Sequence, residues 1–247
     1  MKIPQRLPEE IAPIDTRTNE QDIASEAVFR RGDPDFVARM GGAFAKRILE
    51  VAKSLDMVRD NTRIMVQKTP MVRGAYPDVP QWHVDCMPGI QTKLAEAVRQ
   101  RIDGLICVLL DRNLHTNGGG TLFLNGELDM KMDAEDDSDY VPGGYLSLDA
   151  GDVNWIHPQV EAQLYRTVHP SAILPNVIYR YRSDQLHRAP VMTGNSGHRI
   201  VVRLNTPPDD FEYEIPVQNT IITPEPNYIF RVNEERTRWT RESHQQA

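Results

Sequence analysis

Residues 186–204 read LHRAPVMTGNSGHRIVVRL, and their pattern is the clearest indication of the fold class. A short run is followed by a turn rich in Gly, Asn and Ser, and then by a run with several β-branched residues, which is typical of a β-hairpin. Other short extended runs follow Asn61, bounded by Pro and Gly, at residues 62–68, 104–110, 121–124, 145–148, 153–156 and 177–181. Many short strands at close spacing predict an antiparallel barrel or sandwich.

The first 60 residues have a different pattern. Ile23, Ala27 and Val28 fit a short amphipathic helix, and apolar residues between Phe36 and Ala52 recur at three- and four-residue steps, which predicts helices. We therefore expect one domain over residues 1–247, made of a helical N-terminal layer (1–60), a β-rich core (61–210) and a C-terminal extension (211–247).

Several segments between and beyond these elements are expected to be less regular. Residues 1–19 predict an irregular arm, residues 93–101 a helical insert, and the acidic run 127–139 a solvated loop. The polar tail from Glu234 onward is expected to be loosely held.

Charge and composition exclude some classes of function. The chain has 28 Lys and Arg against 35 Asp and Glu, a net charge of −7, which argues against broad affinity for nucleic acid or anionic membranes. The N-terminus lacks a secretory h-region and no window resembles a membrane span, so we expect a cytoplasmic protein. Two cysteines do not make a disulfide framework.

The tripeptide His83-Val84-Asp85 is the first candidate metal site. Because side chains alternate along a strand, His83 and Asp85 would share one face there. A second histidine would complete the two-histidine, one-carboxylate set that binds Fe(II) and leaves positions open. The candidates downstream are His115, His157, His169, His187 and His198.

Together these motifs resemble the Fe(II)/2-oxoglutarate-dependent dioxygenase superfamily, whose core is a double-stranded β-helix (jelly roll). The resemblance rests on His83-Val84-Asp85, on His187 followed by Pro190 and Gly197-His198-Arg199, and on the strand 118–123, GGGTLF. It implies that His83, Asp85 and His187 bind Fe(II), that 2-oxoglutarate and O2 take the open positions, and that an arginine holds the distal carboxylate of 2-oxoglutarate.

Two features depart from the family pattern. Arg199 and Arg203 are four residues apart and share a face of the predicted strand, so both are candidates for 2-oxoglutarate; Arg199 is preferred because it follows the turn glycine, as in the family. The usual Arg-x-Ser is replaced by Arg199-Ile200-Val201, so a hydroxyl partner must come from elsewhere, with Tyr179 and Tyr181 as candidates.

The resemblance implies an oxygenase that hydroxylates a small molecule and releases succinate and CO2. An intact Asp85 favours hydroxylation, desaturation or ring closure over halogenation. Three alternatives stay open: a metal-dependent cupin-type enzyme that does not use 2-oxoglutarate, a protein or nucleobase hydroxylase of the same superfamily, and a jelly-roll binding protein with a degenerate site. Substrate and oligomeric state stay undetermined; residues 126–144 and 157–175 are expected to be loops that form the pocket walls.

Overall fold

A computed structural model describes the chain over residues 2–14, 20–87, 90–92, 102–110, 120–131, 140–141, 145–147, 161–162, 164–194, 197–209, 216–223, 228–236 and 239–243. The helix expected at residues 93–101 and the strand expected at 153–156 lie outside these ranges.

Three α-helices lie within the described residues: α1 (Glu20–Ala24), α2 (Pro34–Met40) and α3 (Ala43–Ser54). The side chain of Asp33 caps α2 by accepting a hydrogen bond from Phe36 N at 2.7 Å, and Pro34 occupies the first turn. The break between α2 and α3 falls at Gly41 and Gly42, where a Cβ on Gly42 would lie 2.3 Å from a carboxylate oxygen of Glu26. That carboxylate accepts hydrogen bonds from the backbone N–H groups of Phe44 and Ala45 in the first turn of α3. Gly42 therefore leaves room for the side chain that caps this helix.

Within the described ranges strands far outnumber helices, which confirms the mainly β class with N-terminal helices. The first strands in the chain are β1 (Lys2–Gln5), β2 (Glu9–Pro13), β3 (Phe29–Gly32), β4 (Arg63–Pro70), β5 (Val84–Met87), β6 (Ile90–Thr92), β7 (Asp103–Leu110) and β8 (Leu122–Lys131). The later strands are β9 (Tyr140–Val141), β10 (Tyr145–Ser147), β11 (Val168–Ala172), β12 (Val177–Arg182), β13 (His187–Arg188), β14 (His198–Thr206), β15 (Tyr228–Val232) and β16 (Trp239–Ser243).

The strands form two six-stranded sheets and two small hairpins. The sheet with the longer strands, called the larger sheet, has the order β2-β12-β7-β14-β4-β3 and is antiparallel throughout. The second sheet has the order β1-β8-β10-β9, and both β11 and β13 pair with β8. The small sheets are β5-β6 and β15-β16.

The larger sheet separates two apolar cores. One face of β7 and β14 packs against the buried residues of the helices, among them Val37, Ile48 and Leu49. The other face packs against Phe123 of β8 in the second sheet. Two sheets that bury a shared interior are consistent with a β-sandwich, and the candidate site lies in this interior.

Several segments differ from the sequence-based expectation. The hairpin expected over residues 186–204 does not form, because β13 pairs with β8 and β14 pairs with β4 and β7. The helix expected to include Ala27 and Val28 ends at Ala24. The arm expected to be irregular, residues 1–19, contains β1 and β2, which pair with β8 and β12. β8 continues to Lys131 into the acidic run, β11 forms within the loop expected at 157–175, and the tail contains β16. These additional strands form by pairing with other strands, and their own polar sequences did not predict them.

No helix among the described residues is long and apolar enough to cross a membrane.

Candidate active site

Two histidines that are distant in sequence meet at the edge of the second sheet. His83 and His187 form an antiparallel β-bridge: His83 N donates to His187 O at 3.0 Å, and His187 N donates to His83 O at 2.9 Å. Directly opposed residues place their side chains on the same face. The two imidazole centroids accordingly lie 4.6 Å apart.

Each imidazole is oriented by a backbone carbonyl. The Nδ1 atom of His83 lies 2.9 Å from the carbonyl oxygen of Gln81, and the Nδ1 atom of His187 lies 3.0 Å from that of Gln185. A carbonyl oxygen only accepts hydrogen bonds, so Nδ1 is the protonated nitrogen in both rings. This tautomer leaves the Nε2 lone pair as the donor that a metal ion would take.

Burial keeps both rings neutral. It lowers the pKa of His83 to about 3, with the neighbouring His187 as the next cause, and it also lowers the pKa of His187, which is only 2% exposed. Neutral imidazole is the form that binds metal ions. The aromatic rings of Phe123 and Tyr181, at 5.2 and 6.2 Å, pack around His187 from the sandwich interior.

Arg199 lies in the same interior and is 2% exposed. It sits on β14 opposite Leu110 of β7 and Thr69 of β4, and its Nη2 donates to Oγ1 of Thr121 at 2.9 Å. Burial lowers the pKa of Arg199 to about 10, so the guanidinium keeps its charge at neutral pH.

Arg203 has a carboxylate partner in Asp78. Its Nη2 lies 3.2 Å from Oδ2 of Asp78, and the two side chains are 6% and 16% exposed. Burial alone would raise the pKa of Asp78, but the charge of Arg203, with a smaller contribution from Arg199, holds it below the usual value. The interior therefore contains Arg203, whose charge Asp78 neutralises, and Arg199, which donates to the neutral hydroxyl of Thr121.

Asp85 is described only through its backbone. It lies in β5, where it pairs with Gln91 of β6. Among the residues with described side chains, no group of three or more His, Cys, Asp or Glu is arranged to hold a metal ion. The structure thus brings His83 and His187 together, and the predicted role of Asp85 is not tested.

Residues next to the two histidines in sequence belong to a second set of polar contacts. The guanidinium of Arg188 lies 4.8 Å from the centre of the Trp82 ring and forms an ion pair with the buried carboxylate of Glu161. Trp239 of β16 donates through Nε1 to Oε1 of Gln81 at 2.5 Å. Because Gln81 also orients His83, the C-terminal hairpin is linked to the candidate ligand through one residue.

Sequence reasoning missed Thr121 and Asp78. Thr121 lies in the quoted GGGTLF strand, but its contact with Arg199 depends on the pairing of β8 and β14 with other strands. The tyrosines considered for the hydroxyl role have other partners: Tyr181 donates to Asn205 Oδ1 at 2.7 Å, and Tyr179 Oη accepts from Leu174 N at 3.2 Å.

Of the remaining histidine candidates, the two in the described part of the chain form no metal-binding group with the pair. His169 is exposed on β11, and His198 begins β14. His115 and His157 fall outside the described residues.

Comparisons with known proteins leave the family of this chain open. No protein-family model matches the sequence, and no curated protein matches it. Among solved structures, the chain is similar to a crystal structure of a prolyl-4-hydroxylase from Pseudomonas putida, with 10% identity over 81% of this chain and 97% of that chain, and a TM-score of 0.33. At that TM-score the functional conclusion depends on the site geometry.

Proposed function

We propose that this protein is an Fe(II)- and 2-oxoglutarate-dependent oxygenase that hydroxylates a small molecule. The observation that carries the proposal is the bridge between His83 and His187, which pairs two neutral imidazoles with matching tautomers beside a buried arginine. A bridge of this kind is a rigid frame, and ligands on a rigid frame keep their geometry when a metal is absent.

The donor set fits Fe(II). Neutral imidazole nitrogens and a carboxylate form the facial set of oxygenases that use non-haem iron. His83 and His187 would supply the two nitrogens, and we assign the carboxylate to Asp85, which lies two residues after His83 in an extended segment. The carbonyl groups of Gln81 and Gln185 would keep both rings in the ligating tautomer.

Arg199 and Thr121 would hold the distal carboxylate of 2-oxoglutarate. A buried guanidinium supplies a fixed charge and a planar pair of donors. Oγ1 of Thr121 accepts a hydrogen bond from Arg199, so the O–H of Thr121 can donate to a carboxylate oxygen. Thr121 would therefore take the role of the serine that follows the arginine in the family pattern. Asp78 already neutralises Arg203, so charge balance favours Arg199 over Arg203 as the anchor.

When bound, Fe(II) with 2-oxoglutarate and O2 supplies the oxidant for a C–H bond, and 2-oxoglutarate leaves as succinate and CO2. The residues of this chain bind and orient the ligands, and they exclude water from the site. Phe123 and Tyr181 close the interior around His187, and the buried Arg188–Glu161 pair fixes the polypeptide next to that ligand.

We also propose that the two sheets are those of a double-stranded β-helix and that residues 1–247 form a single domain. The N-terminal segment contributes β2 and β3 to the larger sheet, and the helices α2 and α3 bury their apolar faces against it. A separate N-terminal domain would not share both a sheet and a core with the rest of the chain.

Succinate release tests the proposed function. Purified protein with Fe(II), O2 and 2-oxoglutarate should form succinate, at least by slow turnover without substrate, and His187→Ala should not. Retained iron binding with no dependence on 2-oxoglutarate would instead identify a cupin-type enzyme of another kind. Folded protein that binds neither iron nor 2-oxoglutarate would refute the oxygenase assignment.

A further inference from the structure

A groove opens at the edge of the sandwich beside the candidate site. One wall is β4, and the other is the C-terminal hairpin, which contributes Tyr228, Phe230 and Arg241; Arg30 lies at the rim. Its volume is about 220 Å³, room for a small molecule or for one end of a larger one. We call it the edge groove.

The edge groove adjoins the interior that holds the arginines through Asp78 and two residues of β4. Met65 and Thr69 of β4, which line the groove, pair directly with Arg203 and Arg199 of β14. Opposed residues on neighbouring strands share a face, so Met65 and Thr69 lie on the same side of the sheet as both guanidinium groups. Asp78 lines the groove and forms the ion pair with Arg203.

The ionisable residues of the edge groove are mainly basic, although the whole chain has a net charge of −7. Arg30, Lys68 and Arg241 line the groove together with one carboxylate, Asp78, which Arg203 already neutralises. The ammonium of Lys68 donates to the backbone carbonyl of Ala24, which leaves Arg30 and Arg241 as the candidate cations. Among the described residues, neither Arg30 nor Arg241 is ion-paired with a carboxylate. A local positive charge on an acidic protein attracts anions selectively to that position.

The walls add an apolar and aromatic surface. The guanidinium of Arg241 lies 4.5 Å from the centre of the Tyr228 ring, a stacking contact that orders the charge. Val28, Ile222 and the buried ring of Phe230 complete the surface. An apolar wall with an ordered cation at its rim suits a ligand that has an apolar body and an anionic end.

We propose that the edge groove binds the substrate that the enzyme oxidises. This substrate is a small molecule with an apolar body and a carboxylate or phosphate group, which Arg241 and Arg30 hold. The identification of the ligand as the substrate rests on the proposed oxygenase function. The binding of an anion in the groove does not, because its residues are separate from the metal and 2-oxoglutarate ligands.

Binding of three probes of similar size to the iron-free protein, without 2-oxoglutarate, tests the site directly. Phenylacetate and phenylphosphate carry the two anionic groups, and benzylamine carries a cation on the same ring. Calorimetry or NMR titration should show binding of at least one anion and none of benzylamine. The stronger of the two anions distinguishes a carboxylate from a phosphate ligand.

Variants locate the probe. Arg241→Gln and Arg30→Gln should each weaken anion binding by about tenfold, since loss of a charge-assisted hydrogen bond amounts to roughly 1.4 kcal/mol or more. Arg231→Gln is the matched control, because Arg231 lies on the same hairpin outside the groove and pairs with Glu242. It should leave the affinity unchanged.

Three results would overturn the proposal: no binding of either anion, equal binding of benzylamine, or loss of binding in Arg199→Gln but not in Arg241→Gln. The last result would place the probe in the 2-oxoglutarate pocket. A failure of succinate formation with intact anion binding would refute the oxygenase function and leave the groove as a binding site, so the two failures are distinguishable.

Discussion

Replacement of Asp78 by Asn is the perturbation for which the structure gives the clearest magnitude. The substitution keeps the shape and one acceptor oxygen but removes the charge that neutralises Arg203, 3.2 Å away in a pair that is 6% and 16% exposed. At an effective dielectric constant of about 20, two charges at that distance attract by roughly 5 kcal/mol before desolvation. Removing one partner of a buried pair typically costs about 3–5 kcal/mol, and we expect about 3 kcal/mol here because Asp78 keeps some contact with water.

Urea unfolding of the iron-free protein measures this cost, and Glu50→Gln is its matched control. Glu50 pairs with Arg47 at 3.3 Å, but the side chains are 67% and 51% exposed, so its loss should cost less than about 1 kcal/mol. The double variant Asp78→Asn/Arg203→Met should recover much of the lost stability because the charge of Arg203 no longer lies buried without its partner. If Asp78→Asn is no more destabilising than Glu50→Gln, the buried-pair interpretation is wrong.

Three further predictions concern the site residues. His187→Ala should abolish Fe(II) binding in equilibrium dialysis, whereas His169→Ala, on the exposed face of β11, should not; equal effects would contradict the assignment. Thr121→Val should weaken the binding of 2-oxoglutarate by about tenfold, the effect of losing one hydrogen bond to a charged group. Arg199→Ala should weaken it more, and both variants should keep the iron affinity of the wild type. Unchanged binding in Thr121→Val would show that the hydroxyl does not contact 2-oxoglutarate. Burial lowers the pKa of His83 to about 3 in the folded protein, whereas an exposed imidazole has a pKa near 6.5. The unfolded chain therefore binds more protons between these values, so iron-free protein should lose stability as pH falls through this window. His83→Gln should reduce that slope, and an unchanged slope would show that His83 does not carry it.

The sequence predicted the parts of this fold that depend on local pattern. The β-branched runs of β7, β12 and β14 and the three- and four-residue repeat of α3 each identify an element without knowledge of its partner. The pair Gly41 and Gly42 marked the helix break, where Glu26 caps α3. The hairpin expected over residues 186–204 was wrong, because His187 lies in β13, which pairs with β8, and Arg199 lies in β14, which pairs with β4 and β7 in the other sheet.

Contacts that depend on long-range pairing were not predictable in this way. Asp78 lies in an irregular segment and gains its role only because Arg203 of β14 lies within reach. Thr121 was read as part of a strand motif, and its bond to Arg199 requires both sheets to be in place. The strand β1 carries no strand pattern of its own and forms through pairing with β8.

The most direct test of the central claim is an anaerobic titration of Fe(II) into the protein with 2-oxoglutarate, followed by visible absorption. A weak metal-to-ligand charge-transfer band should appear in the wild-type protein, disappear in His187→Ala, and require more 2-oxoglutarate in Arg199→Ala. The same band in His187→Ala, or none in folded wild-type protein, would contradict the assignment of His83 and His187 as ligands of an iron that binds 2-oxoglutarate.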